Sequence, residues 1–230
     1  RSDTGIATSS GFRTVKHVFN SNQCDGFIVK FNNIGKRVWG TYVGDTGYVS
    51  PYVNTNIISD IKILNDKRIV LKMLTCNVNL TAPHELVTLG AFQAARNSTL
   101  DNVVAVLDTA GNRMWGSFLG GNNDESRWWS GFYHNTGNSL AITDKYIYMA
   151  DITVSTSMLA YGTSTFKSSI GGIIDAYIAQ ISLDTIVKIR PPFNDTVWCQ
   201  GDSIKVKTKV NFPFRTTNVF TVQLSNANGS

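Results

Sequence analysis

Apolar side chains recur at every second position in short runs along this chain, and clusters of Gly, Asn, Asp, Ser and Thr separate the runs. Phe27, Val29 and Phe31 alternate with Ile28 and Lys30; Val103, Ala105 and Leu107 alternate with Val104 and Val106. Period-two apolarity places such side chains under one surface of a sheet. Asn32-Asn33-Ile34-Gly35 and Asp108-Thr109-Ala110-Gly111 follow, and these residue types tolerate bent or positive-φ backbones, so a turn is expected at each. Return strands then carry Trp39, Tyr42 and Val43, and Trp115, Phe118 and Leu119. A second hairpin is expected after each: Ile61 to Leu64 turning through Asn65-Asp66-Lys67 into Arg68 to Leu71, and Leu140 to Ile142 turning through Thr143-Asp144-Lys145 into Tyr146 to Met149.

The two stretches are copies of one pattern. CDGFIVKFNNIGKRVWGTYVG (24–44) aligns with LDNVVAVLDTAGNRMWGSFLGG (100–121), matching Asp25 with Asp101, Gly35 with Gly111, Arg37 with Arg113, and Trp39-Gly40 with Trp115-Gly116. Aspartate and tryptophan stand 14 residues apart in both, without a gap. A third copy begins at Asp175 (DAYIAQISLD), where Tyr177, Ala179 and Ile181 take the same face, but it lacks the tryptophan half. The aspartates are spaced by 76 and 74 residues, a period that belongs to a repeat architecture. Before each aspartate runs a loop of turn-forming residues: GIATSSGF (5–12), VTLGAFQAARNST (87–99) and MLAYGTSTFKSSIGG (158–172). Two hairpins per repeat make four strands, the content of a propeller blade.

Composition supports this reading. Only 16% of the 230 residues are charged and 11% are aromatic, a mixture that suits an all-β, surface-exposed protein better than a helical enzyme. The net charge of +5 is scattered; Lys205, Lys207 and Lys209 share one face of an expected strand, and no stripe dense enough for nucleic acid is present. No run reaches the ~18 apolar residues of a membrane-spanning helix. The chain begins at Arg1, which suggests a mature or excised segment. Cys24, Cys76 and Cys199 lack metal-ligand spacing and leave the redox compartment open.

Candidate chemistry is sparse. The periodic aspartates Asp25, Asp101 and Asp175 are expected to cap turns, since an active site is used once and a scaffold position recurs. Asp124-Glu125 are adjacent carboxylates, poorly placed for paired acid–base work; with Asn122 and Asn123 they offer oxygen ligands for calcium but lack EF-hand spacing. His17, His84 and His134 show no zinc spacing, so no metal and no cofactor is expected. Nucleophile-elbow and phosphate-loop patterns are lacking in a suitable setting, and no enzyme is expected. The one feature favouring binding is aromatic: Trp128, Trp129, Phe132, Tyr133 and His134 crowd a polar-flanked loop, mirrored by Tyr48 and Tyr52. Such rings stack on sugars and fill partner pockets, or fold back over a rim between sheets.

The pattern Gly90-Ala91-Phe92-Gln93, Asp101, Trp115 and Leu119-Gly120-Gly121, with Asp25, Phe27, Val29-Lys30-Phe31, Trp39, Thr41-Tyr42 and Gly44 in the first copy, resembles the "seven-bladed beta propeller" repeat of bacterial secreted and surface proteins. The resemblance covers roughly residues 5–183, with longer and more aromatic insertions at 46–58 and 122–138. Cys199, Gly201-Asp202-Ser203-Ile204 and the run Asn218 to Ser225 resemble the start of an immunoglobulin-like β-sandwich that follows such propellers in large secreted Bacteroidota proteins. These resemblances imply an all-β fold: β-propeller blades (four-stranded antiparallel sheets) over 1–187, a proline-containing linker over 188–198, and the beginning of a sandwich over 199–230. The propeller is incomplete within this chain, because two and a half repeats fall short of the roughly four blades a ring needs. The expectation is therefore a fragment of a longer polypeptide, or one completed by neighbouring chains. By resemblance its setting is extracellular or on the cell surface, reached by type IX secretion machinery. Its work is adhesion or another protein or glycan interaction, the alternative being a carbohydrate-active enzyme or its glycan-recognition propeller.

Overall fold

The computed structural model describes residues 5–16, 25–44, 56–76, 85–88, 91–125, 139–157, 167 and 169–183, together with the backbone of 128–129, 132–133, 188–189 and 208–209. These residues are all-β and form several small antiparallel sheets, with no helix among them.

Strands β1 (Gly26–Phe31) and β2 (Arg37–Val43) form a two-stranded sheet. Strands β3 (Asn56–Ile63), β4 (Ile69–Cys76), β5 (Leu100–Leu107) and β6 (Arg113–Leu119) form a four-stranded sheet in chain order. The short β7 (Trp128–Trp129) and β8 (Phe132–Tyr133) pair with each other. A three-stranded sheet combines β9 (Leu140–Ile142), β10 (Tyr146–Thr153) and β11 (Asp175–Ser182). Finally β12 (Lys188–Ile189) pairs with β13 (Thr208–Lys209), joining a residue pair of the expected linker to the expected third unit. The strands expected at 204–207 and 218–224 and the linker's remainder lie outside the described residues.

Expected hairpins and observed sheets differ in phase. The four-stranded sheet is made from the second hairpin of the first sequence copy and the first hairpin of the second copy, through the β4–β5 ladder of Ile69↔Leu107 to Cys76↔Leu100. The same junction recurs one period later, where Ile147↔Ile181 to Thr153↔Asp175 join β10 to β11. The aspartate thus opens the third strand of a structural unit, two strands out of step with the unit read from sequence.

Local geometry repeats closely. Both turns are closed by paired backbone bonds, Asn32 N–H to Lys36 O (2.9 Å) and Gly35 N–H to Asn32 O (3.1 Å), against Asp108 N–H to Asn112 O (2.9 Å) and Gly111 N–H to Asp108 O (3.1 Å). Gly35 and Gly111 have φ of 75° and 86°, where a side chain would strain the backbone. A β-bulge falls at Lys30/Phe31 and again at Val106/Leu107. The glycine after each tryptophan has a different reason: a Cβ at Gly40 would strike the Ile6 carbonyl oxygen, and one at Gly116 the Leu86 carbonyl oxygen. Each lets the preceding loop cross over the strand.

The sheets stack in one sense, with a forward face of each meeting a back face of the next. Ile28, Trp39 and Val43 of the first sheet pack on Leu71, Met73, Val103, Leu107 and Phe118 of the second. Val70, Val104, Val106 and Trp115 of the second pack on Ile147, Met149, Tyr177, Ala179 and Ile181 of the third. The middle sheet is covered on both sides, so β4 and β5 are buried throughout and read as near-continuous apolar runs. Phe27 and Phe31 do not lie under a covered surface as their alternation suggests. They are 54% and 58% exposed, because β1 presents them on the back of the first sheet of the stack.

Candidate functional site

The loops preceding Asp25 and Asp101 dock on the outer edge of a return strand. Thr8 N–H bonds Gly40 O (2.9 Å) and Thr88 N–H bonds Gly116 O (3.1 Å); Tyr42 N–H bonds Arg13 O (3.0 Å) and Phe118 N–H bonds Gln93 O (3.1 Å). Side chains repeat the arrangement. Arg13 N–H donates to Thr41 Oγ1 and Gln93 N–H to Ser117 Oγ, both at 2.9 Å.

The docked Arg13 and Gln93 then hold their aspartates, as Lys167 holds the third. Arg13 Nη1 donates to Asp25 Oδ2 (3.3 Å), Gln93 Nε2 to Asp101 Oδ2 (3.4 Å) and Lys167 Nζ to Asp175 Oδ2 (2.8 Å). Arg13, Gln93 and Lys167 each follow a phenylalanine in sequence, a signal that pattern alone hides because the three donors differ chemically. Asp101 is fully buried and also accepts from Ser98 Oγ (2.6 Å) and Asn97 N–H (2.9 Å). Burial pushes its carboxyl above the usual range, against the pull of those bonds. Asp25 accepts from Asn56 Nδ2 (2.9 Å), and Asp175 from Gly171 N–H (2.7 Å). At Asp175, more open to solvent, the Lys167 bond holds the carboxyl below its usual range. Gly44 and Gly120 leave the room that the Asp25 and Asp101 carboxylates occupy.

The two tryptophans sit in corresponding interfaces, both buried. Trp39 donates its indole N–H to Thr109 O (3.0 Å) in the turn of the next hairpin, and its ring lies against Gly111. Trp115 packs forward into the apolar cluster with Leu140, Ile147 and Leu183.

A second polar group does not repeat. Between the middle and third sheets, Lys72 Nζ lies 2.6 Å from Asp151 Oδ2 with both side chains almost fully buried, and it donates to Ser139 Oγ (2.7 Å) and Ala150 O (3.2 Å). Asn102 Nδ2 reaches Asp151 Oδ2 (3.1 Å) and the Tyr177 hydroxyl (2.9 Å). Burial, then the Asp151 charge, pushes the Tyr177 phenol well above its usual range. At the preceding interface the corresponding ladder position pairs Met73 with Val103, where this one pairs Asp151 with Tyr177. The only sequence hint is a lysine inside the apolar run IVLKMLTC (69–76).

Of the stretch 122–125, Asn122 and Asn123 stay exposed while the acidic Asp124 and Glu125 turn inward. Asp124 Oδ1 accepts Leu100 N–H (3.1 Å), and Asn122 Oδ1 accepts the N–H groups of Thr156 and Ser157 (2.9 Å each). Glu125 is fully buried; its Oε1 accepts Gly121 N–H and Ser155 Oγ, both at 2.6 Å, while Oε2 has no hydrogen-bond partner. Burial raises its carboxyl to about 7, opposed by the Ser155 and Gly121 bonds and aided by the nearby Asp101 charge.

A pH dependence of stability follows. Between Glu125's ordinary value and about 7 the folded chain keeps a proton that the unfolded chain releases. The stabilisation is complete below pH ~4.5, declines as pH rises, and is lost above about 7, a span of about 3 kcal/mol. Asp101 and Asp124, both raised by burial, act in the same direction. Urea denaturation from pH 4.5 to 8 should show that decline, and Glu125→Gln should remove most of it. A Glu125→Gln variant that keeps the wild-type slope would refute the assignment.

Among the aromatic candidates, the backbone places Trp128↔Tyr133 and Trp129↔Phe132 opposite each other in a tight hairpin. His134, Tyr48 and Tyr52 lie outside the described residues, as do Cys24 and Cys199, while Cys76 is buried. No group of three or more His, Cys, Asp or Glu suited to a metal ion occurs among the described residues. A shallow cleft of about 520 Å³ is lined by Phe12, Arg13, Val15, Glu85, Val87 and Arg113. Within it the Arg113 guanidinium lies 5.2 Å from the Phe12 ring centre, and Arg13 Nε lies 3.3 Å from Glu85. Those groups largely hold one another and seal the docked loop.

No helix among the described residues is long and apolar enough to cross a membrane. No protein-family model matches the chain, and no curated protein matches it.

Proposed function

We propose that this chain is a non-catalytic scaffold and binding module, a β-propeller-type array of blades followed by the beginning of an immunoglobulin-like sandwich. Its place is a large secreted or cell-surface protein, where it acts in adhesion or in protein or glycan interaction. The observation that carries the reading is the recurrence of one docking arrangement: a loop threonine on the Trp-Gly strand, then a polar residue after phenylalanine holding the next aspartate. Residues used this way in both full copies, and in part at Lys167 and Asp175, are committed to holding the chain together, which leaves chemistry to non-repeated segments. Of these, the Trp128–Tyr133 hairpin has the side chains suited to contact a sugar ring or a protein pocket.

Trp128→Ala/Trp129→Ala is expected to abolish retention on a glycan array or on surface-protein partners and to leave the melting temperature nearly unchanged. A large loss of stability would assign those rings to packing instead. A polysaccharide-hydrolysis screen on the same protein separates this reading from a carbohydrate-active enzyme: turnover would overturn it.

A further inference from the structure

Among the described residues, three sheets stacked in one sense leave two outward faces, and the chain itself shows what such faces meet. The back face of the first sheet carries Phe27, Val29, Phe31 and Val38, of which Phe27 and Phe31 are more than half exposed. The same positions in the middle sheet, Val103 and Leu107, are fully buried against the forward face of the first. The forward face of the third sheet carries Ile178, which is 80% exposed, beside Tyr148 and Ile152 on β10. Its counterpart Val104 is fully buried against the back face of the third sheet. One outward face is therefore of the forward kind and the other of the back kind, and these two kinds mate twice within the chain.

Charge points the same way. Strands β9, β10 and β11 direct Ala141, Tyr146, Tyr148, Ala150, Ile178 and Gln180 outward, with no charged side chain in the set. Opposite it, Phe27, Val29, Phe31 and Val38 offer an apolar surface. Arg37, opposite Phe31 on that back face, is held by the Gly5 and Ile6 carbonyl oxygens, whereas the forward face of the middle sheet carries Lys72, which Asp151 of the third sheet pairs.

We propose that the forward face of the third sheet of one chain docks on the back face of the first sheet of a second copy, head to tail. This rests on the scaffold reading and names its partner. A contact of this kind uses two different patches, so it propagates, closing into a ring where the rotation per chain permits and otherwise extending as a filament.

Ile178→Lys and Phe27→Lys each block one patch at an exposed position, and near-UV circular dichroism matching wild type confirms that each variant folds. In sedimentation velocity the wild-type chain is expected to form oligomers that grow or close with concentration. Each variant alone should remain a monomer, and an equimolar mixture should form a dimer and stop there. A wild-type chain that stays monomeric at its solubility limit overturns the proposal and gives those faces to other segments or partners. A single variant that self-associates overturns it too, because the contact then pairs like patches, and so does a mixture that stays monomeric while wild type self-associates, because the two patches then do not meet. Failure of the scaffold reading would register separately, as polysaccharide turnover that neither variant alters.

Discussion

Replacing Lys72 with Met should cost about 3–5 kcal/mol in a urea titration, and replacing Asp151 with Met should cost a similar amount. Each single change strands a charge between two packed sheets, where Lys72 Nζ and Asp151 Oδ2 lie 2.6 Å apart and almost no water reaches either. The double variant is expected to recover to within about 1 kcal/mol of wild type or beyond it, since apolar residues of similar volume commonly match a buried ion pair. The chain offers its own precedent, because Met73 occupies the corresponding ladder position at the first interface among Leu71, Val103 and Trp39. Asn102 keeps the Tyr177 hydroxyl as partner when Asp151 is gone. Additive losses in the double variant would show that the two residues act independently. If the recovery occurs, the pair contributes specificity more than stability: it marks which sheet follows the middle one.

Trp39→Ala and Trp115→Ala should each lower stability by about 3–5 kcal/mol, the range for truncating a buried tryptophan. The two rings are 4% and 3% exposed, and each fills the forward interface of its own hairpin. Trp39 additionally leaves the Thr109 carbonyl without its indole donor. Comparable losses measured under one set of conditions are the expected result. A costly change at one tryptophan and a neutral one at the other would mean that the sequence repeat is not a repeat of environments.

Much of the strand content was legible because it is local. The alternation around Phe27–Phe31 and Val103–Leu107, the Asn/Asp…Gly turns and the two later hairpins all fall where period and turn chemistry place them. Which hairpin joins which was not legible, since ladder partners such as Thr75 and Asp101 are brought together by pairing across a long connection. Alternation also cannot say which face of an outer sheet will be covered, and so Phe27 and Phe31 emerge exposed. The inter-sheet pair of Lys72 and Asp151 left only a charge in an apolar run. Glu125 reads in sequence as one of two adjacent acids, because its Gly121 and Ser155 partners are set by the fold. The aromatic hairpin was visible as composition, and the fold adds its backbone pairing.

Hydrogen exchange on Asp101→Asn tests most directly whether the recurring residues hold the scaffold. Its two carboxylate oxygens accept from Asn97 N–H, Gln93 Nε2 and Ser98 Oγ in a site closed to water, and the amide of asparagine keeps a single acceptor oxygen for these three donors. Amides of the docked loop 93–98 and of its contact strand at Phe118 and Gly120 are expected to exchange roughly ten- to a hundredfold faster, reflecting a loss of about 1–3 kcal/mol. Unchanged protection in both segments would contradict the account, since Asp101 would then be dispensable to the architecture it is said to organise.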